Sequence, residues 1–218
     1  MALRECDAVF DLTGCHEELA TRYSNVVDLE SGYWDSADYH SYYKKIVKKI
    51  LKQASKGKRV ALVSYGHPLL FDAVSLAILN RARKLDIPTT LLPGISCLDT
   101  IAIDLQIDFG NGIQIFDAED LLESRIAINP EIDLLLLQVG TLGVDSPRDA
   151  DNTNPKRLKP LKRYLREYYA KRREVVIVFS DDGDGTPVKT RTTLTEIHLH
   201  NGELIPGASL YIPGTHRQ

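Results

Sequence analysis

The chain has 218 residues, a formal net charge of −3, and 43% hydrophobic against 26% charged residues. These values are typical of a globular protein with one large domain or two small ones. Neither half is basic, so charge gives no case for nucleic-acid binding, and no stretch is typical of a membrane span or a signal peptide. Three scattered cysteines, Cys6, Cys15 and Cys97, form no disulfide or zinc motif and favour a reducing, cytoplasmic setting.

Short strands alternate with helices along the first half, which predicts an α/β fold. Strands are predicted at residues 8–12, 25–29, 59–64, 89–92 and 112–116. Helices are predicted at residues 17–23, 39–55, 71–84 and 97–105, with a polar and aromatic loop at 30–38. Because such alternation requires crossover connections, this sheet is predicted to be mostly parallel.

The pattern of predicted strands and helices changes after Ala118, where we predict a domain junction. The result is an N-terminal domain at 1–118 and a C-terminal domain with a mixed sheet at 119–218. The second domain is predicted to contain strands at 134–140, 174–180, 190–198 and 209–213, and an amphipathic helix at 160–172. The run of leucines at 134–137 predicts a strand buried on both faces.

Two glycines directly follow predicted strands, Gly66 in Tyr65-Gly-His-Pro68 and Gly94 in Pro93-Gly-Ile-Ser96. Ligands of open α/β sheets bind at the carboxyl ends of strands, so both glycines predict close backbone approach to a small molecule. Ordinary turn glycines are the alternative for each one taken alone.

Ser96 has the position of a helix N-cap, with Asp99 three residues later. The amides of that helix end could bind a carboxylate or a phosphate, although a plain cap explains Ser96 equally well. His67 could contact a ligand or act as an acid or base, or it could stabilise its own loop.

Aromatic residues are dense between positions 33 and 43. They could line a pocket and offer phenol groups for proton transfer, but packing of a helix against the core is the simpler interpretation. The set consists of Tyr33, Trp34, Tyr39, Tyr42 and Tyr43.

The segment 156–173 has nine basic residues and one acidic residue. It could be a nucleic-acid face, but Leu158, Leu161 and Leu165 share the helix and favour a solvated surface face. No metal site is predicted. Asp181 to Gly185 fails the calcium-loop spacing, and His198 and His200 lack a third ligand.

The ordered motifs resemble the tetrapyrrole (corrin/porphyrin) methylase superfamily of S-adenosylmethionine-dependent methyltransferases. The motifs are Tyr65-Gly-His-Pro68, Leu92-Pro-Gly-Ile-Ser96, Asp117-Ala118, Gln138-Val-Gly140 and Leu210-Tyr-Ile-Pro213. Tyr-Gly-His-Pro in particular is similar to the borosin-type peptide backbone N-methyltransferases and their stand-alone relatives.

The resemblance implies two α/β domains with a cofactor cleft between them and S-adenosyl-L-methionine as the cofactor. It implies an enzyme that methylates a small molecule or a peptide, and a homodimer. Charge and hydropathy, as above, predict no nucleic-acid or membrane partner. The positions that match the family's cofactor contacts are Tyr65, His67, Leu70, Ser96, Cys97, Gln138, Ser180, Ala208 and Ser209.

The resemblance also places Tyr33, Tyr43 and Tyr65 at the reacting site, as catalytic residues. An arginine of the borosin branch corresponds to Tyr39 here. Deprotonating a weakly nucleophilic amide nitrogen needs strong electrostatic help, so this difference argues against backbone N-methylation. The alternative is a non-catalytic module of the same fold that binds the cofactor or a partner.

The family's first strand and glycine-rich turn have no counterpart in this sequence. Its first residues resemble the end of the helix that follows that strand in the family. We therefore expect either a start that lies further upstream or a sheet without that strand.

Overall fold

A computed structural model describes residues 2–35, 38–143, 154–180 and 186–215. It confirms the predicted α/β class. Contacts between residues divide the chain into two compact units, Met1–Ser96 and Cys97–Gln218. Within the described ranges, no helix is long and apolar enough to cross a membrane.

The first unit contains a parallel sheet of three strands in the order β2-β1-β3. The strands are β1 (Ala8–Leu12), β2 (Val26–Asp28) and β3 (Val60–Ser64). The helices are α1 (His16–Arg22), α2 (Glu30–Asp35), α3 (Tyr39–Ala54) and α4 (Ala73–Lys84), after a 3₁₀ turn at Ala2–Glu5. Because all three strands are parallel, their carboxyl ends lie at one edge of the sheet.

The core of this unit lies between the sheet and the helices α3 and α4. Phe10 of β1 is buried with Ile46, Val47 and Ile50 of α3 and Val74 of α4. The helical spacing of the α3 residues predicted that buried face, and each such side chain contributes about 2 kcal/mol on burial.

Two predicted elements of the first unit are wrong. Residues 89–92 form no strand, because Pro88 and Pro93 flank this short run and lack amide donors for a ladder. Part of the predicted loop at 30–38 is the helix α2, and the Asp28 carboxylate accepts hydrogen bonds from the Glu30 and Ser31 amides at its start.

The second unit contains a mixed sheet of five strands in the order β4-β5-β8-β6-β7. The strands are β4 (Ile113–Asp117), β5 (Asp133–Leu137), β6 (Glu174–Phe179), β7 (Val188–Thr193) and β8 (Ser209–Ile212). The helices are α5 (Cys97–Leu105), α6 (Ala118–Ser124) and α7 (Lys159–Leu165), with 3₁₀ segments at Phe109–Asn111, Val139–Thr141, Pro155–Leu158 and Ile197–Glu203.

Strand β5 is buried along its whole length, as the run of leucines predicted. Leu134 and Leu136 pack into one apolar cluster, whereas Leu135 and Leu137 pack into another on the opposite face. The alternation of side chains along a strand explains this division, and it places β5 in the interior of the sheet.

The division by contacts falls earlier in the chain than the junction predicted near Ala118. The physical reason is the pairing of β4 with β5, from Ile113↔Asp133 to Asp117↔Leu137. This ladder groups residues 113–117 with the second sheet, where the sequence pattern had placed them in the first.

The predicted elements of the second unit end earlier in the structure than in the prediction, and the difference is largest for one helix and one strand. Helix α7 ends at Leu165, and β7 ends at Thr193. A turn stops β7, because the Glu196 amide donates to the Thr193 carbonyl at 2.8 Å. His198 and His200 therefore lie in a 3₁₀ segment and not on a strand as predicted.

Candidate functional site

The two loops that carry Gly66 and Gly94 lie in direct backbone contact. A Cβ atom on Gly94 would overlap the carbonyl oxygen of Gly66 and would lie 3.2 Å from its carbonyl carbon. Gly66 has φ +74°, a left-handed conformation that residues with side chains rarely adopt. Both glycines are thus required by the packing of these loops beyond the end of β3.

His67 stabilises its own loop through one ring nitrogen. Its Nδ1 accepts the Leu69 amide at 3.2 Å, and its carbonyl accepts the Leu70 amide at 3.0 Å. Because Nδ1 is an acceptor, the neutral ring carries its proton on Nε2, which is left to donate to a ligand. The two interpretations of His67 are therefore compatible.

The loop ends in a strained residue and a helix cap. Phe71 has φ +56° and is 49% exposed, an unfavourable conformation and an unfavourable environment for an aromatic residue. Asp72 then caps α4, accepting the Ser75 amide at 2.8 Å. Such strain is common in loops that are shaped for a ligand.

Ser96 lies immediately before α5, at the predicted N-cap position, and Cys97 is the first residue of α5. Desolvation raises the pKa of the Cys97 thiol although the residue as a whole is exposed, and the nearby Asp99 carboxylate adds to this shift. The raised pKa keeps Cys97 in its thiol form near neutral pH, so it is a poor nucleophile.

The predicted catalytic tyrosines have different surroundings. Tyr65 is 68% exposed beside Gly66. Tyr43 packs against the core of the first unit, as does its neighbour Tyr42, whose hydroxyl donates to the Leu29 carbonyl at 2.7 Å. Tyr33 is in α2, but its side chain, like that of Tyr39, lies outside the described part of the structure.

The predicted cofactor residues of the second unit share one edge of its sheet. Gln138 follows β5, and Ala208 and Ser209 lie at the start of the antiparallel β8. The Val139 amide donates to the Ala208 carbonyl at 3.0 Å. Ser180 follows β6, where Val178 pairs with Ser209. The structure therefore brings these four predicted positions together at one edge.

Gln138 and Ser180 are held in specific conformations. Gln138 has φ +58° and is partly exposed, and strain of this kind is frequent at ligand sites. The Ser180 hydroxyl donates to the Asp104 carboxylate of α5. Ala208 and Ser209 are almost fully buried, so only their backbone groups and small side chains can border a ligand.

Arg157 organises this edge, and no sequence pattern indicated its role. Its guanidinium donates to the carbonyls of Val139, Gly140 and Leu204 at 2.9–3.1 Å and to the Asn201 side chain at 3.2 Å. A planar fork of donors suits such a cluster of backbone acceptors. Arg157 thus belongs to the fold, although it lies in the basic segment interpreted as a solvated face.

We predict that Arg157→Met lowers the free energy of unfolding by about 3 kcal/mol, because partly buried carbonyl groups lose their donors. Arg163→Met is the matched control, since Arg163 is exposed on the following helix, and it should change stability by less than about 0.5 kcal/mol. Urea denaturation followed by circular dichroism measures both. Equal losses in the two variants would contradict the role of Arg157.

Comparison with known proteins gives a family match across most of the chain. Residues 1–198 match the family model of Tetrapyrrole (Corrin/Porphyrin) Methylases. The chain belongs to the tetrapyrrole methylase family. This membership confirms the resemblance predicted from the glycine loops and the later motifs.

The tetrapyrrole methylase chain is also similar to curated fungal proteins. It is 33% identical over 127 residues to the methyltransferase and cyclic-peptide precursor of dendrothelin A from Dendrothele bispora, covering 58% of this chain and 30% of the relative. It is 32% identical over 158 residues to a type III borosin precursor from Anomoporia bombycina, covering 70% of this chain and 18% of the relative. The chain therefore matches less than a third of the length of these relatives.

Solved structures share the fold at lower identity. Uroporphyrin-III-C-methyltransferase from Thermus thermophilus has a TM-score of 0.62 at 16% identity, covering 99% of this chain and 84% of that one. A cobalt precorrin-4 methyltransferase has a TM-score of 0.60 at 15% identity, covering 97% and 85%. At this identity the likeness concerns the fold alone.

Proposed function

We propose that the protein is an S-adenosylmethionine-dependent methyltransferase that acts on a peptide. Family membership and the similarity to borosin precursors support this function. The observation that carries the proposal is the contact between the loops of Gly66 and Gly94, because these loops contain the positions that the family resemblance links to the cofactor.

The residues present fit such a cofactor. In the first unit, the loop that contains Gly66 leaves the Nε2–H of His67 as a donor, and the same loop carries the exposed Tyr65. In the second unit, the partly exposed Gln138 offers an amide that can pair with a nucleobase edge. When bound, the cofactor supplies a methyl group activated by a positively charged sulfur.

The role proposed for Tyr65 is to relay the proton that the acceptor loses on methylation: the phenol oxygen accepts this proton while the phenol O–H gives its own proton to solvent. The residue is largely exposed, and it lies in the same loop as His67. Transfer of the methyl group turns the sulfonium into a thioether, and the attacking nucleophile gives up one proton. The rest of the rate increase comes from positioning. Side chains and loop amides would hold the acceptor in line with the methyl group of the cofactor.

The acceptor is proposed to be more nucleophilic than a backbone amide. The position of the borosin arginine is Tyr39, so the charge that would stabilise a developing amide anion is not provided there. An amine, thiol or imidazole of a peptide requires less electrostatic help. We also propose that the protein is a cytoplasmic homodimer and that it binds neither nucleic acid nor membranes.

The test is methyl transfer from labelled S-adenosylmethionine to peptides encoded by neighbouring genes, followed by mass spectrometry. We expect one added methyl group per acceptor and an equal amount of S-adenosylhomocysteine. Tyr65→Phe should lower turnover by at least about 100-fold, the scale of a lost general acid or base.

Tyr168→Phe is the control, because it also removes a phenol hydroxyl but at a position far from Tyr65 in the sequence. The Tyr168 hydroxyl lies 3.3 Å from the Tyr164 hydroxyl. It should retain the parental turnover. Equal turnover in Tyr65→Phe and the parent would contradict the role of Tyr65.

The second candidate is a non-catalytic module that binds the same cofactor. The replacement of the arginine by Tyr39 is the observation that favours it. Cofactor binding without methyl transfer to any of the peptides would support this candidate over the enzyme.

A further inference from the structure

Three side chains with metal-ligand chemistry meet where β1 and β2 end. Asp11 and Asp28 are direct neighbours in the parallel ladder, and His16 is the first residue of α1, which joins these strands. One ligand atom from each residue can be chosen so that all three lie within 4.8 Å of one another. Sequence patterns did not reveal this cluster, because the ladder register creates it.

Asp11 is buried completely, and one of its oxygens is unpartnered. Its Oδ1 accepts the Thr13 amide at 3.0 Å and the Thr13 hydroxyl at 2.6 Å. Its Oδ2 has no hydrogen-bond partner among the described residues, and neither has the buried Nδ1 of His16. Leaving a buried carboxylate oxygen unsatisfied is costly, so this arrangement calls for a ligand.

The two unpartnered atoms face each other as electron-pair donors. Asp11 Oδ2 and His16 Nδ1 are 3.9 Å apart, too far for a hydrogen bond between them. A cation placed between these atoms would satisfy both at once. The neutral imidazole and the ionised carboxylate are the forms in which these groups bind metals.

Outer hydrogen bonds already orient the two carboxylates. Thr13 holds Asp11, while the Glu30 amide donates to Asp28 at 2.8 Å and the Ser31 hydroxyl binds the other Asp28 oxygen. Partners of this kind fix the direction of ligand oxygens at metal sites. His16 is the ligand free to adjust, since its side chain is 36% exposed.

We infer that Asp11, His16 and Asp28 bind a first-row divalent cation. Metal–ligand bonds of about 2.0–2.2 Å place neighbouring tetrahedral ligands about 3.3 Å apart. The 3.9 Å between Asp11 Oδ2 and His16 Nδ1 therefore needs to shorten by about 0.6 Å, and a rotation of the partly exposed His16 ring can shorten this distance. The site is independent of methyl transfer, and it fastens the start of α1 to the end of the sheet.

The experiment is calorimetric titration of the full-length, chelator-treated protein with Zn²⁺, and with Co²⁺ as a spectroscopic probe. Both titrations are made with Cys15→Ser, because the exposed thiol of Cys15 neighbours His16. We expect one bound ion per chain, a higher unfolding temperature in its presence, and the visible absorption of four-coordinate Co²⁺.

Two variants address the ligands. Asp11→Asn keeps the acceptor for Thr13 but replaces the unpartnered oxygen, and His16→Gln changes the exposed ligand. Loss of a residue that only hydrogen-bonds to a metal ligand lowers metal affinity about 10–100-fold. Loss of a ligand itself should have a larger effect, so we expect each variant to weaken binding by at least about 100-fold. His200→Gln is the matched control, because His200 pairs with a single carboxylate, Glu203, at 3.0 Å.

Three outcomes would overturn the inference. One is the absence of stoichiometric binding by the parent protein. Another is binding that survives both Asp11→Asn and His16→Gln, which would indicate an adventitious ion only. The third is equal loss of affinity in His200→Gln.

Discussion

Gly140→Ala is expected to destabilise the second unit by at least about 3 kcal/mol. A Cβ atom at this position would overlap the Ile205 carbonyl and lie 3.0 Å from the Pro206 nitrogen. Backbone atoms cannot move aside as a flexible side chain can. The segment after β5 would separate from the segment before β8 and lose the Val139–Ala208 hydrogen bond and the contacts to Arg157.

Hydrogen exchange of peptides covering residues 133–141, together with urea denaturation, measures this effect. Gly202→Ala is the matched control, since a Cβ atom there meets no heavy atom within 4 Å and the residue is exposed. That control should change stability by no more than about 1 kcal/mol, in either direction. Similar exchange rates in the two variants would show that the close approach at Gly140 carries little energy.

Gly94→Ala is expected to lower the affinity for S-adenosylmethionine by at least about 100-fold. The new methyl group would force its loop away from the Gly66 carbonyl, and a displacement of about 1 Å in a positioned site can cost a factor of this size. The effect on stability should be smaller, because Gly94 and its neighbours Leu92 and Ile95 are exposed and add little to the core.

Gly57→Ala provides the contrasting control. Gly57 lies in the turn that follows α3, with φ +80° and open space around it, so alanine there introduces backbone strain of about 1 kcal/mol without a clash. We expect reduced stability with unchanged cofactor affinity. Calorimetric affinities together with denaturation curves separate the two cases, and parental affinity in Gly94→Ala would refute the role of the loop contact.

Elements with strong periodicity were predictable from the sequence. The helix α3 follows its apolar spacing, and the buried β5 follows its run of leucines. Both glycine loops were predicted at strand ends. Gly66 does follow β3, whereas Gly94 follows no strand, and the backbone contact between the two loops was not predicted. In these elements local preference and tertiary packing favour the same conformation.

Other features depend on partners that a linear pattern does not contain. The segment 89–92 has the residues of a strand but no neighbouring strand to pair with, and prolines flank it. The pairing of β4 with β5 groups residues 113–117 with the second unit, which periodicity alone could not reveal. The helix α2 depends on the carboxylate of Asp28 as its cap.

The candidate site was predictable only in part, because some of its contacts join residues that are distant in the sequence. Gln138, Ser180, Ala208 and Ser209 come together at one sheet edge, but their roles toward a cofactor stay predictions. Arg157 could not be distinguished from its exposed neighbours, because its role depends on carbonyl groups far away in sequence. The same holds for Asp11, which is buried through the register of β1 and β2.

The most direct measurement is calorimetric titration of the full-length protein with S-adenosylmethionine and S-adenosylhomocysteine. The proposed function predicts that each ligand binds once per chain, with a dissociation constant between about 1 μM and 1 mM. Gly94→Ala should lose this binding, and Gly57→Ala should retain it. Absence of heat for both ligands, in a sample that unfolds cooperatively in urea, would contradict a cofactor-binding function for this chain.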